Sequence, residues 1–214
     1  MSMPAQPQKR KNMTGEEREQ QILEEAVRFF AEVGFEGQTR ELAKRLSITH
    51  AAIYRHFPSK DALIERVYEH VYTKRWRTNW ETLILDRTKS LEQRMVEFYL
   101  DYADCVFEYE WVRIFISSGM KSYGLPQRYL AIIRNKIIIP AAAELRFQLN
   151  QPEGPITEEE QEVFWGLHGS VFYIAIRKFI YDTHINEDIP TTVANTVRVF
   201  FKGLTSSDIS HRAS

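Results

Sequence analysis

The sequence predicts an all-α chain of about nine helices, and three observations carry that reading. Apolar residues recur at three- and four-residue spacing, as in Ile22, Ala26, Phe29, Phe30 and Val33, which gathers them on one face of a 3.6-residue helix. Ser or Thr stands three residues before Glu or Gln at Thr14/Glu17, Ser90/Gln93 and Thr157/Glu160, the pattern of a reciprocal capping box. No stretch alternates apolar and polar residues as a half-buried strand does.

Residues 1–13 are polar, hold two prolines and carry Lys9-Arg10-Lys11; they are expected to form a disordered basic arm. The first helix opens at the Thr14 box and closes at Gly34, since glycine readily takes the left-handed backbone that ends many helices. Thr39 is expected to cap a short second helix reaching Leu46. After Ser47-Ile48-Thr49 a third short helix covers residues 49–57, and Pro58 stops it. Ser59 caps a fourth helix that the pattern carries past Trp80. Ser90 opens a helix through Phe107, a shorter one covers residues 111–120, and Tyr123-Gly124-Leu125-Pro126 reads as a loop. Helical pattern resumes to Leu149, and Gln151-Pro152-Glu153-Gly154-Pro155 is the clearest loop. Thr157 caps a long helix to Tyr181, Asp188-Ile189-Pro190 introduces a last helix ending near Gly203, and residues 205–214 form a polar tail. The chain divides into a head over 14–60 and a body over 61–204.

A length of 214 residues with 43% hydrophobic content suits one or two domains with a sizeable core. The formal net charge is −1, so a nucleic-acid site must be a local basic patch on a comparatively acidic chain. One cysteine, Cys105, leaves no intrachain disulfide and no cysteine-rich zinc site. The first residues lack the apolar run of a signal peptide, and no run approaches the roughly 20 apolar residues that span a bilayer. A soluble, cytoplasmic protein is expected. Nucleophile elbow, phosphate loop and His-Glu-x-x-His spacing are all missing; the chain is not expected to be an enzyme, nor to need a cofactor or metal.

Residues 39–57 carry the strongest signal. Two short helices three residues apart make a helix-turn-helix. Leu42, Ala43, Leu46, Ile53 and Phe57 fall inward, and small Ala43 lets the helices approach closely. Arg40, Lys44, Thr49, His50, Tyr54, Arg55 and His56 are left outward, followed by Lys60 and Arg66. Such a unit lays its second helix in the major groove and presents that helix's N-terminal residues to base edges. His50 can donate or accept towards a purine, Ala51 can meet a thymine methyl, and Arg40 can fork onto guanine. Tyr54, His56 and Lys60 suit phosphate oxygens. A merely structural hairpin with solvated charges would explain neither the inward set nor the Tyr-x-His-Phe-Pro-Ser-Lys run.

The stretches 39–46, Ile48-Thr49 and 53–63, with Ala26-x-x-Phe29-Phe30 and Gly34-Phe35 before them, resemble the TetR (tetracycline-repressor-like) family of bacterial regulators. The resemblance covers about residues 16–70. It implies DNA contacts for Thr39, Arg40, Thr49, His50, Ala51, Tyr54, His56 and Lys60. Ser47 stands where the family usually has glycine; a left-handed backbone there would cost about 1 kcal/mol. The family's architecture further implies a helical body that binds a small effector and pairs with a second copy through its last two long helices. The expected function is therefore a homodimeric repressor released from a palindromic operator by a small, mainly apolar effector.

Phe164, Trp165, Leu167, Val171, Phe172, Ile174 and Ile176 wrap much of the penultimate helix, and Val193, Val197, Phe200 and Phe201 stripe the last one. Together they suggest a two-fold four-helix interface, although an intrachain core uses the same pattern. Tyr102, Trp111, Phe115, Trp165, His168 and Phe172 are the candidate effector-binding residues, with Phe98 and Tyr173 as further aromatic candidates and Arg113 as an alternative polar anchor. A plain aromatic core also fits them. Asp101, Asp104 and Glu108 share a helical face that suits a cation or plain solvation. Cys105 suits a small buried thiol better than a redox sensor.

Overall fold

The computed structural model describes residues 13–120 and 124–206. The expected basic arm up to residue 12, Tyr123, and the tail from residue 207 lie outside the described residues. All regular structure within the described residues is helical.

α1 (Gly15–Val33) starts as its capping box requires: the Thr14 hydroxyl accepts the Glu17 amide at 3.1 Å, and the Glu17 carboxylate accepts the Thr14 amide at 2.7 Å. Its apolar stripe, Ile22, Leu23, Ala26, Val27, Phe29 and Phe30, is buried. Gly34 ends it with φ 75°. Gly37 passes so close beneath that a Cβ there would lie 2.5 Å from the Val33 side chain and 2.6 Å from the Phe29 ring. Only a residue without a side chain keeps α2 (Thr39–Arg45) against α1. Leu42, Ala43, Ile53 and Phe57 fill the space beneath α2 and α3 (His50–His56), as their spacing requires.

α4 (Lys60–Val71) is capped by the Ser59 hydroxyl, which accepts the Ala62 amide at 3.0 Å. It does not continue past Trp80. It stops at Val71, a single 3-10 turn follows over Thr73–Arg75, and α5 (Asn79–Ile84) starts afresh. Tyr72, Trp76 and Trp80 are four apart, so the aromatic period runs on through a break in the backbone. The break follows from the polar run between them. Arg75 pairs with Glu108, Arg77 with Asp101 and Asp104, and Trp80 Nε1 donates to Asp101 at 2.6 Å. These contacts draw the segment across α6 (Leu91–Val106) instead of along a helix axis.

α7 (Tyr109–Met120) and α8 (Leu125–Ile133) follow. Leu125 and Pro126, expected in a loop, already form the first turn of α8 after Gly124 with φ 73°. A π turn over Arg134–Ile138 joins α8 to α9 (Ile139–Gln148). Pro140 explains it: its ring crowds the carbonyl four residues back, so the ladder widens by one residue. α10 (Glu158–Phe179) opens on the Thr157 box. Asp188 caps α11 (Ile189–Ser206) by accepting the Thr191 amide at 3.0 Å.

α11 lies along α6. Val193, Val197 and Phe201 are buried within this one chain, as are Phe164, Leu167, Val171 and Ile174 of α10. The stripe read as an interface is therefore core, because α6 needs a cover for its own apolar face. The exposed side of α10 is different: Val163, Gly166, Gly169, Ser170 and Tyr173. Beneath α10 runs a buried ionic link between α6 and α9. Glu144 accepts from Arg94 at 2.9 Å and from Arg87 at 2.8 Å, and Arg94 also donates to the Ile84 carbonyl. Only 4% of the Arg94 side chain and 5% of that of Glu144 is exposed, so removing either would leave the other's charge buried without a partner.

Candidate nucleic-acid interface

The head is built around one side chain. Thr39 does not cap α2; Gln38 holds the cap position and Thr39 is the first helical residue, buried. Its hydroxyl lies 2.8 Å from His50 Nε2 and 3.1 Å from the Tyr54 hydroxyl. The His50 and Tyr54 rings meet edge to face with centroids 4.9 Å apart. Three of the eight residues read as DNA contacts thus bind one another across the α2–α3 crossing.

Thr49 caps α3, its hydroxyl accepting the Ala52 amide at 3.2 Å. It is exposed together with Ala51 and Arg40, while His50, Tyr54, His56 and Lys60 are half-buried. The Thr39 contacts bring the start of α2 against the first turn of α3, and Lys60 begins α4. Ser47 has φ 53°, the left-handed turn that its place between the helices requires.

Some of the basic residues here are paired with carboxylates. Arg45 is spent on α1: its guanidinium donates to Glu32 at 2.7 Å, approaches Glu25 at 3.7 Å and lies 4.9 Å over the Phe29 ring. The Glu32 carboxyl is held below its usual range by that hydrogen bond. Arg66, read as part of the outward positive surface, pairs with Glu69 at 2.8 Å and Glu19 at 3.4 Å. Of the other basic residues of this region, Arg40, Lys44 and Arg55 are exposed and Lys60 is half-buried.

Two residues that the sequence reading did not pair with the head tie it to the body. Arg113 of α7 donates from Nε to the Ala31 carbonyl at the end of α1, 2.8 Å away. Arg128 of α8 grips Glu65 of α4 with both Nη atoms at 2.8 Å and lies 4.3 Å over the Tyr68 ring.

The candidate effector residues fall in two neighbouring groups. Trp111 stacks on Phe115 with centroids 5.2 Å apart, and Phe172 meets both edge-on. Tyr72 and Tyr129, which the sequence reading missed, complete that group at 4.9 and 5.2 Å from Trp111. His168 sits apart, its ring 5.6 Å from Trp165 and 5.2 Å from Tyr102. Burial alone pushes it down to about 4, so it is neutral. Asp101, Asp104 and Glu108 are occupied by Arg77 and Arg75 of the same chain, and no group of three or more metal-type ligands occurs among the described residues. Cys105 is buried, donates to the Arg75 carbonyl at 3.3 Å, and has its thiol pushed up by burial.

Residues 22–67 match the family model described as bacterial regulatory proteins, tetR family. The head is similar to the N-terminal region of those regulators. The match ends within α4, so it covers the helix-turn-helix and its supports but not the body. Over most of its length the chain is similar in fold to solved structures of TetR-family transcriptional regulators. One from Thermus thermophilus, PfmR, is 21% identical with a TM-score of 0.61, covering 86% of this chain and 98% of its own. Another, from Pseudomonas syringae, is 16% identical with a TM-score of 0.58, covering 86% of this chain and 95% of its own. A comparison with curated protein sequences gives no match. Among the described residues no helix is long and apolar enough to cross a membrane.

Proposed function

We propose that the chain is a ligand-responsive transcriptional repressor that binds a palindromic DNA operator as a homodimer and leaves it when a small, mainly apolar effector enters the body. The observation that carries the reading is the locked Thr39–His50–Tyr54 contact beneath an exposed Arg40, Thr49 and Ala51. It preorganises the first turn of α3 for the major groove before DNA arrives. In this reading Arg40, Thr49, His50 and Ala51 face bases, Tyr54, His56 and Lys60 face phosphates, and Thr39 positions His50 and Tyr54. The division into a head over residues 14–60 and a sensing, dimerising body over 61–204 is part of the same proposal.

The dimer would form through α10 and α11, on the exposed small-residue face of α10 rather than the buried stripe. Tyr102, Trp111, Phe115, Trp165, His168 and Phe172 would surround the effector. The place of work would be the cytoplasm, where operator DNA is.

The test is selection of bound sequences from a random duplex pool, followed by titration over a salt series. A two-fold symmetric site with half-sites about 34 Å apart, or a multiple of that, is expected. Affinity should fall steeply with salt as phosphates release counterions. Enrichment of no sequence, or binding indifferent to salt, would overturn the proposal.

A further inference from the structure

Where α4 gives way to residues 73–78, a cleft of ~260 Å³ opens between that joint and α8. Tyr68, Tyr72, Trp76 and Tyr129 supply aromatic walls, Ile132 closes one side, and Lys136 stands at the rim. Lys136 and Arg128 already have carboxylates. Lys136 Nζ lies 2.7 Å from Glu81, and Arg128 holds Glu65 at 2.8 Å through both arms. The mouth therefore offers flat apolar surface with its charges neutralised in pairs.

Behind it runs a buried polar seam. Tyr129 lines the cleft, is itself buried, and lies close enough to Tyr102 for the two hydroxyls to interact electrostatically. The Tyr102 hydroxyl stands 3.5 Å from His168 Nε2. His168 Nδ1 and the Tyr99 hydroxyl are buried without a hydrogen-bond partner. A buried polar atom left unpaired is costly, so a group that satisfied either one would recover that cost. The seam carries no charge: His168 is neutral, and the tyrosines and Cys105 are all pushed up by burial and stay protonated.

We propose that this cleft is the mouth of a site for an uncharged, flat apolar molecule bearing a hydroxyl or carbonyl group, whose polar end is met by the Tyr129–Tyr102–His168 seam. The proposal rests on the reading of the chain as ligand-responsive and adds the entrance and the charge class. A carboxylate or ammonium would leave water for a seam without a counter-charge, which burial penalises heavily. A neutral hydroxyl loses far less and finds partners. An occupant there wedges between Tyr68 of α4 and Tyr72 just past its end on one side and Tyr129 and Ile132 of α8 on the other, beside the Arg128–Glu65 clamp.

Three probes of one skeleton test it: naphthol, naphthoate and naphthylmethylammonium, titrated at neutral pH against full-length protein by tryptophan quenching. Naphthol should bind at least about tenfold more tightly than either ion. Ile132→Phe, which fills the cleft from α8, should abolish naphthol binding; Thr73→Phe fills it from the opposite wall should the first variant melt early. Tyr129→Phe should weaken naphthol and leave the hydroxyl-free control, naphthalene, unchanged. Equal or tighter binding of an ion, no binding by any probe at its solubility limit, or wild-type binding in folded cleft-filling variants would each overturn the proposal. Naphthol that binds as stated yet leaves operator affinity unchanged would sink the regulatory reading and leave the site standing.

Discussion

The Thr39 hydroxyl lies 2.8 Å from His50 Nε2, across the crossing of α2 and α3. One buried oxygen thus fixes the ring that, in the proposed reading, α3 offers to a base and, 3.1 Å away, the hydroxyl of Tyr54. Thr39→Val keeps the shape and removes that oxygen. A net loss of about 1 kcal/mol in stability is expected, the usual worth of such a hydrogen bond. The larger effect should be on discrimination: preference at the base pair facing His50 relaxes, while salt-driven affinity for random DNA stays within about twofold. Urea melts and parallel titrations of selected and scrambled duplexes check it. Uniform loss on both duplexes would mean that Thr39 acts only through stability.

The buried ionisable groups predict acid sensitivity in two separable windows. His168 is neutral in the folded chain down to about 4, whereas unfolded it protonates near 6.5. Across that interval the unfolded chain holds a proton that the folded chain refuses, so stability falls as pH falls, by up to about 3 kcal/mol. Glu144 is held below its usual 4.5, first by Arg87, against opposing desolvation, and then by Arg94. Its contribution is complete above pH 4.5 and is lost below it, as pH falls towards the folded value. His168→Leu should flatten the upper window only. Glu144→Gln should flatten the lower one and cost about 3–5 kcal/mol at neutral pH, because Arg94 stays buried without its anion. Denaturant midpoints from pH 7 to 3.5 measure both, and a His168→Leu profile parallel to wild type would refute the upper assignment.

Those two windows also show where sequence reading succeeds and where it stops. Local patterns were legible: the three capping boxes form, and Leu42, Ala43, Ile53 and Phe57 are buried where their spacing put them. Ser47 takes the left-handed backbone its position implied. Reciprocal and long-range choices were not legible. The aromatic period of Tyr72, Trp76 and Trp80 concealed the end of α4, because the acids that pull residues 75–80 sideways lie more than twenty residues later, on α6 and just past its end. Val193, Val197 and Phe201 announce an apolar face but not whether α6 or a second chain covers it. One missed signal was readable. Leu91, Arg94, Met95 and Phe98 form a single helical stripe, and an arginine within it announces a buried acid elsewhere, here Glu144.

The dimer reading makes a prediction that the isolated chain sets up. Gly166 and Gly169 lie on the exposed face of α10, and a Cβ at either would meet nothing within 4 Å in this chain. Substitution there is sterically free in one protomer; the cost would be helix propensity alone, which favours the change. If two copies pack face to face on α10, Gly169→Glu inserts bulk and like charge at the two-fold. It should yield a folded monomer with native helicity and strongly weakened binding to the symmetric site. Sedimentation and operator titration decide it. A Gly169→Glu dimer as stable as wild type would place the interface elsewhere.

The last prediction concerns how the body reaches the head. A ligand releases DNA only by favouring one arrangement of the heads over another. With α4 ending at Val71, a rigid lever running from head to deep body is ruled out. The head is instead held at two points, Arg128 on Glu65 of α4 and Arg113 on the Ala31 carbonyl of α1. Trp111 precedes Arg113 on α7 and accepts the Tyr72 hydroxyl on its carbonyl at 3.2 Å. A shift of the Trp111 group therefore moves α7, and Arg113 passes it to the end of α1. Arg113→Met retains the aliphatic packing and cuts that link. Ligand-free DNA affinity should stay within about threefold, because the head's own crossing is untouched. The effector response should lose much of a coupling that is typically about 1–3 kcal/mol. Operator titration with and without a bound effector, in wild type and Arg113→Met, measures the two quantities separately. An unchanged response would assign the coupling to the Arg128–Glu65 clamp, and Arg128→Met then becomes the variant that must lose it.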